Sequence, residues 1–425
     1  MDQQQTIPSQ QQLEFLDWEI GMFFHFGLRS FYPGHCDWDN LPMHAQQFAP
    51  DSLDCNQWME AARALGAKYT VLTCKHHDGF ALWPSKYTDF SVKNSPYREG
   101  NGDIVAEYTT ACRRYGMKVG LYYSPAQWGG EHSFASEDSE AYDSYFIGQL
   151  NELLSNYGTI DYLWLDGCGS EGHVFDTARI SDAIRRLQSD ILIFGSVLSP
   201  YNDNRWIGNE DGYAPLDNYN TVCQDESIVL NAARFMPAEC DMMIRNVWFG
   251  GAPNEAYLKQ PCELFGNYEY TVGRGANWLL NVGPDQHGRI PEEDFAILRE
   301  TRRKIDAAYG PGAALPFVPV AQEGTDWCIS HPEFFKGYGV TRGIPLCNRL
   351  VLMEDLSNGE QVKSFRIYAN LPMGKSHRLC IYRGDAIGHK HICAFPAIPA
   401  SKFTLEITEG SGNCVIRSME ALYVR

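Results

Sequence analysis

The sequence predicts an α/β protein built on a (β/α)8-like barrel, followed by a small antiparallel β-sandwich. Three observations favour this fold class. Apolar, strand-like runs alternate with helical patterns for about 300 residues, which is typical of βα units around a parallel sheet. A segment rich in Gly and Pro at 309–316 then interrupts the alternation. Beyond that segment, apolar residues recur at every second position, as in a half-buried antiparallel sheet.

The strands and helices of the first part follow one another at intervals of roughly 40–50 residues. The predicted strands are apolar or β-branched runs at 21–26, 69–74, 117–123, 160–165, 191–194 and 278–282. Segments with helical spacing lie at 56–65, 104–115, 142–157, 177–188 and 292–308. Gly116 and Gly158 directly follow two of these helices and are expected to cap them. The stretch 200–264 has no clear helix, so it is expected to form long loops or an irregular half of the barrel.

The Gly- and Pro-rich segment also predicts a domain boundary. We assign residues 1–312 to the barrel, whose length suits a closed ring of eight βα units. Residues 313–425 are assigned to the β-sandwich. In this second part Phe365, Ile367 and Ala369 alternate with more polar neighbours, which is the pattern of strands with one buried face.

The composition excludes several classes of function. A hydrophobic content of 44% and a charged content of 21% are those of a soluble protein with a sizeable core. The net charge of -18 argues against nucleic acids and anionic membrane surfaces as partners. The 13 cysteines form no Cys-x-x-Cys pair, and the Gln-rich N-terminus lacks the apolar core of a signal peptide. We therefore expect reduced thiols and a cytoplasmic location.

Polar side chains follow several predicted strands at the point where each strand ends. The carboxyl ends of parallel strands share one edge of a sheet, so these side chains are expected to converge on one barrel mouth. Asp166 is the best placed carboxylate, because it ends a wholly apolar run at 162–165 and precedes Gly167. The converging set is His25, His76, His77, Tyr122, Tyr123 and Asp166.

Three histidines at one rim suggest either a metal site or a site for a hydroxylated ligand. Adjacent residues on a strand point to opposite faces, so His76 and His77 can both face inward only beyond the strand's end. With His25 they form neither a His-x-His nor a His-Glu-x-x-His motif. We therefore expect no metal and no other cofactor, with a metal-dependent hydrolase as the alternative. Histidines that donate and accept hydrogen bonds suit the hydroxyls of a sugar.

A carboxylate beside such a site predicts glycosidase chemistry. A retaining glycosidase needs a nucleophile and a general acid about 5–5.5 Å apart. Asp166 is the expected nucleophile, and Glu210 and Glu239 are the candidates for the acid. Glu239 leads into an apolar run at 242–244 and would lie at the start of that strand, which is the wrong edge. Glu210 is therefore favoured, and Glu239 is kept as the alternative.

Five stretches of the chain resemble the successive motifs of glycoside hydrolase family 29, the retaining α-L-fucosidases. They occur in the family's order across about residues 18–300, and the stretch at 75–80 is the most specific. The C-terminal tail also resembles the β-sandwich of this family. The stretches are 18–27 (WEIGMFFHFG), 75–80 (KHHDGF), 120–124 (GLYYS), 164–167 (WLDG) and 277–284 (NWLLNVGP).

The resemblance implies a role for each matching residue. Asp166 would form a covalent fucosyl-enzyme intermediate, with Tyr122 or Tyr123 near it. His25, His76 and His77 would hold fucose hydroxyls. The implied contacts with the sugar ring and its methyl group are Asp37, Trp38, Trp164, Trp248 and Trp278.

The resemblance also implies a linkage preference. The segments 205–210, 237–241 and 244–245 are similar to the type that releases α1,3- or α1,4-linked fucose from Lewis-type glycans, in which Glu210 matches the acid/base. The segment 246–250 departs from that type, which leaves a relaxed α-L-fucosidase as the alternative. A non-catalytic fucose-binding protein is a further alternative, and it would not need the carboxylates. The expected partner is a fucosylated oligosaccharide or glycoconjugate, and the sequence indicates no oligomeric state.

Overall fold

The computed structural model describes residues 6–32, 42–127, 138–225, 227–250, 257–332, 343–372 and 378–425. In these segments the helices are α1 (Gln10–Trp18), α2 (Cys55–Leu65), α3 (Ile104–Tyr115), α4 (Ser139–Asn156), α5 (Thr177–Leu187), α6 (Pro261–Thr271) and α7 (Glu292–Tyr309). The first ten strands are β1 (Ile20–Phe24), β2 (Tyr69–Lys75), β3 (Lys118–Tyr123), β4 (Tyr162–Leu165), β5 (Leu192–Gly195), β6 (Arg205–Trp206), β7 (Thr221–Gln224), β8 (Val229–Phe235), β9 (Ala238–Met243) and β10 (Asn277–Asn281). The remaining strands are β11 (Ala321–Glu323), β12 (Asp326–Ser330), β13 (Leu346–Glu354), β14 (Val362–Asn370), β15 (Arg378–Gly384), β16 (His391–Pro399), β17 (Lys402–Gly410) and β18 (Ile416–Leu422).

Eight parallel strands form a nearly closed barrel in the order β5-β4-β3-β2-β1-β10-β9-β6. Each of β1, β2, β3 and β4 is followed by a helix, and so are β9 and β10. The strands from β1 to β5 are buried almost throughout, because helices cover the outside and side chains fill the inside. This architecture confirms the predicted fold class.

The half of the barrel between β5 and β9 is irregular, as the sequence predicts. A short 3₁₀ turn at Ser196–Leu198 and the two-residue strand β6 follow β5. The antiparallel pair β7 and β8 then takes the place of a helix. The described residues between β5 and β9 contain no α-helix. This half therefore contributes loops, which are free to carry side chains to the barrel mouth.

Helix α1 closes the bottom of the barrel, and the sequence does not predict it. The hydroxyl oxygen of Ser9 accepts a hydrogen bond from the Gln12 amide, and the Gln12 side chain accepts one from the Ser9 amide, so the helix begins with a capping box. Phe15 then inserts into the barrel, with ring centroids 5.9 Å from Tyr69 and 5.4 Å from Tyr162. Although this segment is rich in Gln, one face of α1 is aromatic and is buried against the barrel.

The C-terminal part consists of two antiparallel sheets with a shared apolar core. One sheet has the order β11-β12-β17-β14-β15 and the other has the order β16-β13-β18. Phe365 and Phe403 of the first sheet pack in one cluster with Leu350 and Met419 of the second. The position of the domain boundary at 312 stays a prediction. Among the described helices, none is long and apolar enough to cross a membrane.

Candidate active site

A cavity of about 440 Å³ opens at the carboxyl ends of the barrel strands. The loops after β1, β2, β4 and β6 contribute to it, and so do inward-facing residues of the strands. Its walls combine aromatic rings, histidines and carboxyl groups, as expected for a sugar site. The residues that line it are Phe23, His25, His76, His77, Tyr122, Trp164, Asp166, Gly167, Cys168, Glu171, Phe194, Ser196, Trp206, Glu210, Ser227, Asp241 and Trp248.

Asp166 follows the last residue of β4 and is held by hydrogen bonds to both carboxylate oxygens. The Tyr122 hydroxyl donates to Oδ2 over 2.6 Å, and the backbone amide of Cys168 donates to Oδ1 over 2.8 Å. Gly167 beside it leaves room for the hydroxyl of Ser196, which a Cβ at this position would displace. These contacts favour the ionised carboxylate and fix its direction. An oriented carboxylate of this kind can act as a nucleophile.

His76 and His77 both face the cavity because the chain has left the strand before it reaches them. A register shift between Thr73 and Lys75 ends the regular pairing of β2 with β3. A tight turn follows, in which the Gly79 amide donates to the His76 carbonyl over 3.0 Å and Gly79 has a φ of 86°. The turn needs glycine at this position, since a side chain would meet Gln127.

The two histidines differ in their surroundings. The Nδ1 atom of His77 lies 2.6 Å from the Ser124 hydroxyl, and its Nε2 atom lies 3.5 Å from Oδ2 of Asp166. The His76 ring stacks on Tyr122 at 5.7 Å. Burial, with the nearby charges of other basic groups, holds the pKa of His76 well below its usual range. His76 therefore presents a neutral ring, which can both donate and accept hydrogen bonds.

His25 is oriented by an asparagine of the neighbouring strand. Oδ1 of Asn281 lies 2.8 Å from Nδ1 of His25, and Nδ2 of Asn281 donates to the Trp248 carbonyl over 2.8 Å. Because Oδ1 can only accept, Nδ1 of His25 carries a proton and donates it to Asn281, which leaves Nε2 directed away from this contact. The Trp248 ring lies 4.7 Å from the His25 ring. The predicted convergence of His25, His76, His77 and Asp166 is thus found in the structure.

Trp164 and Tyr122 form the floor of the cavity, and Glu239 lies beneath it. The Trp164 and Tyr122 rings stack at 5.4 Å. Glu239 is only 1% exposed and accepts hydrogen bonds from Trp164 Nε1 over 3.0 Å, from the Tyr162 hydroxyl over 2.9 Å and from Tyr69. Burial raises the pKa of Glu239 to about 7 against the effect of these donors. Glu239 does not line the cavity, so its position contradicts the alternative assignment of the acid to this residue.

Two predicted contacts, Tyr123 and Trp278, lie on the wrong face of their strands. Successive side chains of a strand alternate between the barrel interior and the helices. Since Tyr122 faces inward, Tyr123 faces outward, where its hydroxyl donates to Gln149 over 2.6 Å and its ring stacks on Phe146. Trp278 is fully buried among residues packed against the helices. Neither residue can touch a ligand in the cavity, so both assignments are wrong.

Asp37 and Trp38, which the resemblance also implies as sugar contacts, lie outside the described residues. Their predicted roles therefore stay predictions.

Glu210 lies on the loop after β6 and lines the cavity. It is exposed, and its φ of 52° lies in the left-handed region that residues other than glycine rarely adopt. Strained backbone of this kind is frequent at functional sites. An exposed carboxyl group at the mouth can reach a bound ligand and exchange protons with water.

Sequence reasoning missed several lining residues, of which Asp241 is the most informative. Asp241 is 3% exposed, and its Oδ1 accepts a hydrogen bond from Trp206 Nε1 over 2.7 Å. Burial raises the pKa of Asp241 to about 8, and the charges of Glu210 and Glu239 act in the same direction. The signal that could have found it is the strand alternation that starts at Glu239. The other missed lining residues are Phe23, Cys168, Glu171, Phe194, Ser196, Trp206 and Ser227.

Comparison with known proteins identifies relatives over the whole barrel. The family model described as alpha-L-fucosidase matches residues 30–303. The chain is 36% identical to alpha-L-fucosidase 1 of Arabidopsis thaliana over 461 residues, which covers 98% of this chain and 87% of that protein. It is 38% identical over 311 residues to a relative from Oryza sativa subsp. japonica. That matched region covers 69% of this chain and only 58% of the relative.

Solved structures show the same architecture. A glycoside hydrolase 29 family member from an unknown rumen bacterium superposes with a TM-score of 0.85 at 28% identity, covering 99% of this chain and 77% of that chain. A GH29 fucosidase of Ruminococcus gnavus in complex with fucose has a TM-score of 0.81 at 21% identity, covering 99% and 95%. At that identity the second likeness concerns the fold alone.

Proposed function

Because this chain belongs to the α-L-fucosidase family, glycoside hydrolase family 29, we propose that it is a retaining exo-α-L-fucosidase. It releases terminal L-fucose in two displacements at the anomeric carbon. The observation that carries this proposal is the environment of Asp166, whose two oxygens accept hydrogen bonds inside a cavity that also contains Glu210.

In the first displacement Asp166 attacks the anomeric carbon and the bond to the leaving sugar breaks. Glu210 gives its proton to the leaving oxygen, so the departing group leaves as a neutral alcohol. In the second displacement Glu210 takes a proton from water, and the resulting hydroxide equivalent replaces Asp166. Configuration is retained, because two inversions occur at the same carbon.

The remaining cavity residues bind and orient the sugar. His25, His76 and His77 offer ring nitrogens to the fucose hydroxyls, and the buried neutral state of His76 suits this task. Trp164 and Trp248 provide apolar ring surface for the sugar face and its methyl group. The small volume of the cavity and its closed floor at Trp164 support release of a single terminal residue.

The proposed linkage preference is α1,3 or α1,4 on Lewis-type glycans. It is supported by the sequence around Glu210, which matches that type, whereas 246–250 departs from it. Release of fucose from a Lewis-type trisaccharide should therefore exceed hydrolysis of 4-nitrophenyl α-L-fucoside. Strong aryl hydrolysis without release from the trisaccharide would instead indicate the relaxed type.

The two carboxyl roles are tested by substitution. Asp166→Ala should lose nearly all turnover and regain part of it with azide, which replaces the nucleophile. Glu210→Ala should slow the trisaccharide far more than the activated aryl fucoside, because only the former needs the proton. Glu171→Ala is the matched comparison, since Glu171 lines the same cavity. If Glu171→Ala rather than Glu210→Ala shows this dependence on the leaving group, the acid is assigned to the wrong residue.

A metal-dependent hydrolase is the second candidate, and one observation favours it. Ligand atoms of His76, His77 and Asp166 all lie within 4.8 Å of one another. Both oxygens of Asp166 already accept hydrogen bonds, which favours the nucleophile over the ligand. Dialysis against a chelator should leave turnover unchanged. Loss of activity that Zn²⁺ or another divalent cation restores would favour the metal reading.

A further inference from the structure

The loop after β9, residues 244–250, forms one wall of the cavity and supports its histidines. Trp248 lines the cavity, and its ring lies 4.7 Å from the His25 ring. The next residue, Phe249, is 9% exposed and meets the rings of His25 at 5.5 Å and His76 at 5.0 Å, edge to face in both cases. The position of this loop therefore sets the distance between the apolar wall and the histidine rings.

Asn281, the last residue of β10, joins this loop to His25 through both polar atoms of its side chain. Its Oδ1 atom accepts a hydrogen bond from the His25 backbone amide over 3.2 Å and lies 2.8 Å from Nδ1 of the same residue. Its Nδ2 atom donates to the Trp248 carbonyl over 2.8 Å. The backbone carbonyl of Asn281 accepts from the Ile244 amide over 3.0 Å. Because Asn281 is only 1% exposed, water does not compete for these bonds.

The loop and the segment after β10 are also in backbone contact at two glycines. A Cβ at Gly250 would overlap the carbonyl oxygens of Gly283 and Pro284. A Cβ at Gly283 would lie 2.6 Å from both the Trp248 carbonyl oxygen and the Gly250 amide nitrogen. All of these are backbone atoms, so no side-chain rotation can relieve the overlap. Two positions without side chains thus allow the Trp248 carbonyl to come within reach of Asn281.

We propose that Asn281 is a positioning residue that fixes Trp248 against His25, and that Gly250 permits this arrangement because it has no side chain. One carboxamide keeps the apolar wall and the histidine at a fixed separation, so this part of the site is formed before the sugar binds. The inference rests on the proposed function and deepens it, because it names groups that determine the affinity for fucose rather than proton transfer. Asn281 is not among the residues that line the cavity, and it acts through its two neighbours.

Asn277, at the other end of β10, provides a matched control. It lies four residues before Asn281, so its side chain faces the same barrel interior. It is also 1% exposed, and its Nδ2 atom donates to the Phe15 carbonyl over 2.6 Å. Leucine at either position removes a buried hydrogen-bonding amide, but only Asn281 contacts His25 and Trp248.

The first measurement is the inhibition constant of L-fucose in the hydrolysis of 4-nitrophenyl α-L-fucoside. Asn281→Leu should raise this constant about tenfold or more, because both neighbours lose their partner. Asn281→Asp keeps an acceptor for His25 and loses the donor to Trp248, so a rise of about threefold or more is expected. Asn277→Leu should lower the free energy of unfolding and leave the inhibition constant unchanged. An unchanged constant in both Asn281 variants would overturn the proposal.

Gly250→Ala displaces the loop while Asn281 stays intact. The new Cβ meets backbone atoms, so the loop must move and carry the Trp248 carbonyl with it. The inhibition constant of L-fucose should rise about as much as in Asn281→Asp, which excludes the added charge of that variant as the cause. Gly266→Ala on α6, where a Cβ meets nothing within 4 Å, should leave the constant unchanged. Wild-type affinity in Gly250→Ala would contradict the role of the loop position.

A double-mutant cycle tests whether Asn281 acts through Trp248. In a Trp248→Ala background, Asn281→Asp should change the inhibition constant by less than about 1.5-fold, because the ring that it positions is already absent. If the effects of the two substitutions multiplied, Asn281 would act independently of Trp248 and the proposal would be wrong.

Nuclear magnetic resonance tests the arrangement without reference to turnover. Nδ1 of His25, assigned by the loss of its signal in His25→Gln, should carry a proton in the wild type and in Asn281→Asp. This fixed protonation pattern should be lost in Asn281→Leu. The indole signal of Trp248, assigned by its loss in Trp248→Phe, should shift in Asn281→Asp and Gly250→Ala but not in Asn277→Leu. An unshifted indole signal in both of the former variants would refute the arrangement.

These outcomes are distinct from a failure of the proposed function. Asn281→Leu should lower kcat/KM equally for a Lewis-type trisaccharide and for the aryl fucoside, whereas Glu210→Ala should distinguish them. If Asp166→Ala and Glu210→Ala behave as expected and the Asn281 variants bind L-fucose like the wild type, this inference alone is refuted. If Asp166→Ala keeps full turnover, the proposed function itself is wrong, and the resonance measurements still decide the role of Asn281 in positioning Trp248.

Discussion

The Tyr122 hydroxyl lies 2.6 Å from Oδ2 of Asp166 and joins the end of β3 to the end of β4. These residues are 44 positions apart in the chain, and they meet because β3 and β4 pair in parallel. The contact gives the proposed nucleophile a fixed direction. It also provides a donor that stabilises the carboxylate before it attacks.

Tyr122→Phe should lower kcat/KM about 10-fold or more, since a hydrogen bond to a charged group contributes roughly 1.5–3 kcal/mol. Tyr123→Phe is the matched control. It removes a hydroxyl on the outer face of the same strand and should change stability rather than turnover. Equal losses of turnover in the two variants would contradict the assignment of Tyr122.

Trp248→Ala should raise KM strongly for fucosides, because the Trp248 ring lines the cavity against His25. Trp278→Phe should leave KM unchanged and lower the free energy of unfolding, since Trp278 packs between the barrel and its helices. Steady-state kinetics and urea unfolding of both variants measure the two effects. A raised KM in Trp278→Phe would show that the outer position of this ring does influence the site.

Glu239→Ala should destabilise the fold by on the order of 3–5 kcal/mol, because it leaves the donors of Tyr69, Tyr162 and Trp164 unpaired in the interior. Glu239→Gln keeps acceptor capacity and should cost much less. Urea unfolding of the two variants makes the comparison. If Glu239→Ala were stable and slowed only the substrates with poor leaving groups, its position beneath the cavity floor would not exclude Glu239 as the acid.

Glu19→Gln should weaken the contact between the barrel and the C-terminal sheets. Burial would raise the pKa of Glu19, but a hydrogen bond with His389 and the charge of Lys390 lower it to about 2. A lowered pKa stabilises the fold above the ordinary value near 4.5 and loses this effect as the pH falls towards 2. At pH 7 the loss should be on the order of 2–3 kcal/mol.

The dependence of stability on pH checks this origin. Between pH 4.5 and 2 the wild-type chain should lose more stability than Glu19→Gln. Glu300→Gln removes a surface partner of Arg303 and should barely change the unfolding transition. If the free energy of unfolding fell equally with pH in the wild type and in Glu19→Gln, the charge of Glu19 would not contribute to stability.

The sequence by itself determined the barrel, six of its eight strands, and the histidines and the carboxylate that converge at its mouth. Asp166 and His25 could be found because an apolar run that ends in a polar residue is a local pattern. All parallel strands of a barrel end at the same edge. Local patterns were therefore enough to predict that the polar side chains at the strand ends lie close together. The capped helix α1 was not predicted because its two buried aromatic residues, Phe15 and Trp18, follow a Gln-rich segment.

Only the tertiary structure decided which neighbour of a pair faces the ligand. Tyr122 and Tyr123 cannot be distinguished in the sequence. In the strand their side chains point to opposite faces, and only the fold shows which of the two faces the cavity. Glu239 and Asp241 lie two residues apart, yet one is beneath the floor and the other is on the wall. The partners that fix these roles, such as Trp164 and Trp206, come from distant parts of the chain. Such contacts depend on how strands align in space, and no local pattern encodes that alignment.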